Sequence, residues 1–514
     1  MQNAFAAARR FTAPVVLLSL LTACGGGGGG DDAVAQACSP SNPYRADATG
    51  PVRDASLTVE KQWVRGYVED VYLWYPEVPQ VNPDDPSYSV DTPAGFYTSI
   101  DNYFNALLSP MLTPTGQFKD RFSFTFPTRL WDEQINSGVV AGWGIEWHFD
   151  TFTTTRIDGV RIAFVHTGSP ADGAGLRRGD TLTSIGGLPA TAGTANAVDA
   201  LLARLYPASG QQHAMVFDRG GSSVSRTLTS APVAVTPIDH AILDVGAAQV
   251  GYLLFNDHVL PAERPLVDAV AAMQAQGVSD LVLDLRYNGG GYLYLASELA
   301  YMIAGPARTA GRTFERTVFN DRQSARNEAT PFFNLACVPD PVTFECSTDE
   351  PLPTLNLGRV FVLTSASTCS ASEAIINGLR GIDVDVRVIG DTTCGKPYGF
   401  FGASNCGISY FPVEFKGVNH KGYGDYADGF TPAASGNGTD RVRGCVAADD
   451  LSRALGDPAE GQLAAALFHR ANGTCPPVAS PGREGPLSAG RAATAARVVK
   501  PAALSNRNAR MPAR

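Results

Sequence analysis

Between Ser56 and Ser109 the apolar positions recur at helical spacing. Trp63, Val64, Tyr67, Val68, Val71, Tyr72 and Trp74 form one stripe, and Phe96, Ile100, Tyr103, Phe104 and Leu107 a second. Two stripes of this kind predict helices that bury an aromatic face, a small helical cap over residues 56–135. From Asn136 to Pro232 the period shortens to two, as in Val160-Arg161-Ile162-Ala163-Phe164-Val165, with glycine and proline as punctuation. That pattern predicts a β-rich module over 136–232. From 233 to Cys475, strands such as Val250–Phe255 and Leu281–Leu285 alternate with amphipathic stretches, which predicts an α/β layer with parallel pairing. After Cys475 the pattern dissolves into Ala, Pro and scattered Arg483, Arg491, Arg497, Lys500, Arg507, Arg510 and Arg514. Residues 476–514 therefore read as a disordered basic tail.

The amino end carries a different signal. Arg9 and Arg10 precede an apolar run from Pro14 to Leu21, too short to span a bilayer but flanked like a signal peptide. It ends in Leu21-Thr22-Ala23-Cys24, which resembles the lipobox of bacterial lipoproteins. The resemblance implies a signal peptide over 1–23, a lipid on Cys24 and a membrane partner reached through that lipid. With Gly25 next to the cysteine, it also implies the outer membrane facing the periplasm. The Gly25–Gly30 run opens what reads as a flexible tether over 24–55.

Composition narrows the partners. Hydrophobic residues at 44% and charged residues at 18% describe a folded body. Lys plus Arg total 40 against 50 acidic residues, so no basic field exists to draw in a nucleic acid. Export leaves eight cysteines in an oxidising compartment, where disulfides are expected. Short loops suggest Cys337 with Cys346, Cys394 with Cys406 and Cys445 with Cys475, leaving Cys38 and Cys369 as a distant pair or as free thiols. No Cys-x-x-Cys or histidine-rich cluster suggests a metal, and no cofactor motif is apparent.

The chemistry gathers in three turns of the α/β region. Asp284-Leu285-Arg286-Tyr287-Asn288-Gly289-Gly290-Gly291 follows one apolar strand. Val362-Leu363-Thr364-Ser365-Ala366-Ser367-Thr368-Cys369-Ser370-Ala371-Ser372-Glu373 runs from a second strand into a helix, and Gly390-Asp391-Thr392-Thr393-Cys394-Gly395-Lys396-Pro397 follows a third. A strand-to-helix turn aims side chains and backbone N–H groups at one point, which suits a nucleophile and an oxyanion hole. In the β-rich module, Gly142-Trp143-Gly144-Ile145 and Ser169-Pro170-Ala171…Gly175-Leu176…Gly179-Asp180 resemble the carboxylate-binding loop and the helix and turn of a PDZ domain.

This order, helical cap, PDZ, Asp-Leu-Arg-x-Asn-Gly-Gly, Ser-Ala-Ser-Glu and Gly-Lys, resembles the C-terminal processing peptidases, and within them the lipoprotein branch. The resemblance implies a layered parallel α/β protease core of the crotonase/ClpP-like kind. It also implies a serine endopeptidase that cuts polypeptide tails through an acyl-enzyme. Residue by residue, Ser370 matches the nucleophile and Lys396 the general base. The N–H of Ala371 with that of Gly289 or Gly290 matches the oxyanion hole, and Gly142, Trp143, Gly144 and Ile145 match the peptide-carboxylate loop. A lysine serves as base only if burial leaves its amine neutral, for which Tyr398, Phe400 and Phe401 are the apolar neighbours at hand. Family members often carry Gln or Glu four residues after the lysine to orient it; here that position is Phe400. His258, just after a strand end, is the rival base. Ser370 with Glu373 also reads as a Ser-x-x-Glu helix cap, and Asp284, Arg286 and Asn288 read as scaffold. The alternative function is a retired peptidase-like lipoprotein that holds peptide C termini without cutting. The oligomeric state has no signature in the sequence.

Overall fold

The computed structural model describes residues 35–337, 350–436, 438–477 and 497–498. Cys24 and the signal peptide lie outside the described residues.

The centre is a seven-stranded sheet. Ile238–Val245 pairs antiparallel with Ala248–Phe255, and from there Asp280–Asp284, Arg359–Thr364, Asp385–Gly390, Arg441–Val446 and Thr431–Ala433 follow in parallel. Alternation along each strand serves two layers. Leu281, Leu283, Val360 and Val362 pack with the helices Glu263–Ala275, Leu293–Ala304 and Ala371–Gly381. Val282, Phe361 and Leu363 face the opposite way, onto the helix Gly461–Asn472. The α/β layer with parallel pairing is therefore present as the sequence pattern predicts.

The two aromatic stripes form helices Leu57–Val71 and Phe96–Ala106. Their shared core also takes in Tyr398, Ile408, Tyr410 and Val413 of the α/β region. The strand Phe124–Pro127 pairs with Ile408–Phe411, and Trp131 joins the main core. The cap is thus built into the central layer.

The β-rich module has the sheet order Ser222–Thr229, Gln212–Arg219, Thr181–Ile185, Ile157–Val165, Ile145–Phe152, closed by the helix Ala195–Leu205 over a core of its own. Its first and last segments, Val139–Gly142 and Ala231–Ala234, pair with each other, so the module is entered and left at one point. Arg178, held within the module by Ala163 O (2.7 Å), ties it to the central layer by donating to Arg453 O (2.9 Å) and the Asp449 carboxylate.

Three expectations change. The tether does not extend to residue 55: Gln36–Cys38 pairs with Val52–Asp54 and Cys38 is bonded to Cys406. The basic tail is not wholly without structure, since Arg497–Val498 adds a strand to the β-rich module. Cysteine pairing by shortest loop holds for Cys445–Cys475 but fails for Cys394–Cys406, because the bonds are Cys38–Cys406 and Cys369–Cys394. The fold brings residues 368 apart together, and chain separation alone carries no record of that. Cys337 is disulfide-bonded, and Cys346 lies outside the described residues. No helix among the described residues is long and apolar enough to cross a membrane.

Candidate active site

The three turns singled out in the sequence leave the carboxyl ends of three neighbouring parallel strands, which end at Asp284, Thr364 and Gly390. Open α/β sheets place ligands at such strand ends.

Ser370 caps the helix Ala371–Gly381 with φ +61° and ψ −117°, a backbone state that a non-glycine residue holds only when its surroundings impose it. The surroundings are identifiable. Glu373, fully buried, takes the Ser370 N–H on Oε2 at 3.0 Å and the Lys396 N–H on the same oxygen at 2.8 Å. Its Oε1 accepts the Gly395 N–H at 2.8 Å and the Thr393 hydroxyl. One carboxylate oxygen therefore fixes the separation of the two backbone nitrogens. Burial pushes the Glu373 carboxyl up, and these four bonds offset only part of that rise. The sequence showed Glu373 as a cap partner; its hold on the lysine turn had no local signal.

A second tie is covalent. Cys369, next to Ser370, and Cys394, two residues before Lys396, form a disulfide. The cysteine, glutamate and cysteine at residues 369, 373 and 394 lie close enough to suggest a metal cluster, but both thiols are consumed by this bond.

Lys396 is 1% exposed. Burial lowers its ammonium from 10.5 to about 7, against the opposing pull of Asp120 and Glu373. Nζ stands 4.8 Å from the Phe400 ring centre and 5.6 Å from that of Phe122. Phe400 thus lies against the amine that a polar residue there would orient. Phe401 does not join in: it is 38% exposed and packs on Phe319 and Phe415. Sequence reasoning missed the N-terminal contribution. Asp120 accepts the Phe122 N–H at 3.0 Å and the Tyr72 hydroxyl at 2.7 Å. Arg121 Nη2 donates to Cys394 O at 2.8 Å and Ala427 O at 3.0 Å, gripping the lysine turn.

The glycine turn rests on Asn288. Its Nδ2 donates to Phe255 O (2.8 Å), and its carbonyl accepts the Cys369 N–H (3.0 Å) and Ser372 Oγ (3.1 Å). Its Oδ1 takes the Gly290 N–H at 2.9 Å, so Gly290 is committed within the turn rather than presented as an oxyanion donor. The Gly289 N–H lies across a planar trans peptide from the Asn288 carbonyl and points away from the Cys369–Ser372 backbone. Of the candidate donors, Ala371 stands first in its helix, without an intrahelical acceptor. His258, the rival base, sits behind the glycine turn. It is fully buried, its Nδ1 lies 2.9 Å from Asn288 Oδ1, and burial lowers it to about 4, which makes it a support of the same turn.

Beneath the turn, Arg286 is fully buried. Its Nε meets Asp284 Oδ1 at 3.0 Å, Nη1 meets Asp449 Oδ1 at 2.8 Å, and Nη1 and Nη2 meet Glu460 at 2.8 and 2.9 Å. Burial pushes Asp449 up, but Arg178 and Arg286 outweigh it and hold the carboxyl at about 2.

Gly142, Trp143, Gly144 and Ile145 line a separate concavity with Glu146, His166, Tyr206 and Asp257. The Trp143 and Gly144 carbonyls accept the Ala171 and His166 N–H groups, and the indole donates to Arg204 O at 2.9 Å. A loop with its carbonyls turned inward leaves amides for an incoming carboxylate.

Comparison with known proteins agrees with this architecture. Three family models match in order: the peptidase S41 N-terminal domain at 60–124, a PDZ domain at 161–205 and peptidase family S41 at 249–399. Segments of the chain thus match the domains of peptidase family S41. It is 25% identical over 263 residues to a carboxyl-terminal-processing protease of Picosynechococcus sp., covering 51% of this chain and 55% of that one. It is 27% identical over 275 residues to a chloroplastic C-terminal processing peptidase of Tetradesmus obliquus, covering 51% and 52%. The chain thus spans about half the length of the curated relatives it matches. A crystal structure from Bacteroides fragilis assigned to the S41 proteases superposes with a TM-score of 0.57 at 22% identity, over 80% of this chain and 97% of that one. At that identity the likeness speaks for the fold.

Proposed function

We infer that the chain is a serine endopeptidase of the C-terminal processing type, working through Ser370 and Lys396. The observation that carries this reading is a fully buried lysine, held near neutrality, on a turn pinned to the Ser370 turn by one carboxylate and one disulfide. A neutral amine beside a hydroxyl takes its proton as the oxygen attacks a carbonyl. The ammonium so formed then protonates the leaving amine, and water hydrolyses the acyl-enzyme by the reverse relay. The Ala371 N–H and a glycine N–H brought round by substrate would stabilise the oxyanion. The substrate is an extended polypeptide tail, whose terminal carboxylate the Gly142–Ile145 loop receives. Lipid attachment at Cys24 would hold the enzyme on the bacterial envelope, facing the periplasm.

A second reading, a binding protein that holds peptide termini without cutting, draws on the Gly290 N–H bound to Asn288. One experiment separates them. The protein is treated with a fluorophosphonate and, separately, with an unstructured polypeptide, alongside Ser370→Ala and Lys396→Ala. Labelling at Ser370 and C-terminal trimming, both lost in either variant, support the peptidase. Unlabelled protein that still binds peptide termini supports the binder.

A further inference from the structure

The strand Ile145–Phe152 has two edges. One pairs with Ile157–Val165; the other is occupied by Arg497–Val498, antiparallel, with Val498 opposite His148 and Arg497 opposite Phe149. A free strand edge is where an extended peptide adds to a sheet, and here the chain's own C-terminal segment has taken it. The contact reaches beyond the edge. Val498 is 6% exposed and packs on Ala163 of the PDZ sheet, on Tyr287 and on Leu451. Its carbonyl accepts Ser367 Oγ at 2.8 Å. Tyr287 directly precedes Asn288, and Ser367 lies three residues before Ser370, so one tail residue touches the stems of two catalytic turns.

Direction matters as well. Antiparallel to Ile145–Phe152, the step from Arg497 to Val498 points toward the Gly142–Ile145 loop, as would a polypeptide delivering its terminal carboxylate there. Tail and substrate then need the same edge. While the tail is seated, its valine packs on Tyr287, and the turn that follows keeps the Gly290 N–H on Asn288. We propose that the C-terminal segment around Val498 is a built-in competitor of polypeptide substrates on the Ile145–Phe152 edge. A tethered segment acts at an effective concentration on the order of millimolar. A tail whose free affinity is ten times tighter than that weakens substrate binding about tenfold.

The competition rests on the peptidase reading, but tail docking can be tested without turnover. In the Ser370→Ala background, the full chain is compared with one ending at Pro477. The probe is a fluorescein-labelled peptide of residues 491–504, read by anisotropy, and hydrogen exchange is followed at residues 146–149. The peptide should bind the shortened chain and bind the full chain at least tenfold more weakly; a Val498→Asp peptide should bind neither, and a Val498→Ile peptide should bind like the parent. Shortening the chain should also deprotect the 146–149 amides. With Ser370 intact, it should lower KM for an unstructured polypeptide about tenfold with kcat held or raised. Equal peptide affinity for both chains, no binding to either, or unchanged exchange overturns the docking. A KM unchanged by shortening, with docking intact, overturns the competition.

Discussion

Replacing Lys396 by Met should inactivate the protein and stabilise its fold, in a manner that depends on pH. The side chains are similar in length and Nζ stands against the Phe400 and Phe122 rings, so the ammonium is the group removed. The ammonium falls from 10.5 to about 7 on folding, a change that corresponds to about 5 kcal/mol. The sign follows from proton counts. Between these two values the unfolded chain holds a proton on this lysine that the native state has released, so native stability rises with pH across that window. The penalty is fully present below pH 7 and vanishes as the pH passes 10.5. Methionine carries no such penalty. Urea denaturation with disulfides intact should show Lys396→Met more stable by up to about 5 kcal/mol at pH 6, with the gap closing by about 1.4 kcal/mol per pH unit between pH 8 and pH 10. A gap constant with pH would mean that the lysine is not desolvated by folding, and the argument for a neutral base would fall with it.

Removing the Cys369–Cys394 bond as a double alanine variant reopens a loop of 25 residues' separation, which by chain entropy costs about 3.5 kcal/mol. A fall in melting temperature together with slower fluorophosphonate labelling is expected; labelling at the parent rate would show that Glu373 suffices to hold the two turns. Arg286→Met leaves the Asp284, Asp449 and Glu460 carboxylates buried without their shared cation. Such a change costs about 3–5 kcal/mol, measurable by denaturant titration. Arg121→Ala frees the Cys394 and Ala427 carbonyls, removing charge-assisted bonds of about 1.5–3 kcal/mol each. It should lower kcat at least tenfold while leaving peptide binding at the Gly142–Ile145 loop unchanged by anisotropy.

The sequence was most legible where function depends on local order. The strand-to-turn segments at 284–291, 362–373 and 388–397 are contiguous, and their apolar runs dictate buried parallel strands whose ends must converge. The Gly142–Ile145 loop is contiguous in the same way. What escaped was set by distance along the chain. Cys38 reaches Cys406 because Asn42 bonds the Cys406 carbonyl and the Cys406 N–H reaches Gln36, none of which loop length encodes. Asp120, Arg121 and Phe122 read as ordinary surface-to-core residues until the fold sets them against the lysine turn. Gly290 shows a subtler limit. Its place in an Asn-Gly-Gly turn was evident, but whether its N–H faces substrate or the Asn288 side chain is a matter of one peptide's orientation.

Phe400 stands where the sequence resemblance leads to the expectation of a polar orienting residue, and its ring lies against the Lys396 amine. A Gln or Glu there would hold the amine by a hydrogen bond, and would also solvate its charged form and raise its pKa. Phe400 does neither. The main chain of the lysine turn is held by Glu373 on the Lys396 N–H, Arg121 on the Cys394 carbonyl and the disulfide, while the ring lies against the amine. Phe400→Gln should therefore raise the Lys396 pKa above about 7, shifting the acid limb of the pH–rate profile for fluorophosphonate labelling to higher pH. The base must be neutral to act, so labelling at pH 7 should fall while labelling at pH 9 recovers. An acid limb that stays in place or moves to lower pH would show that the lysine's neutrality does not depend on the ring at 400.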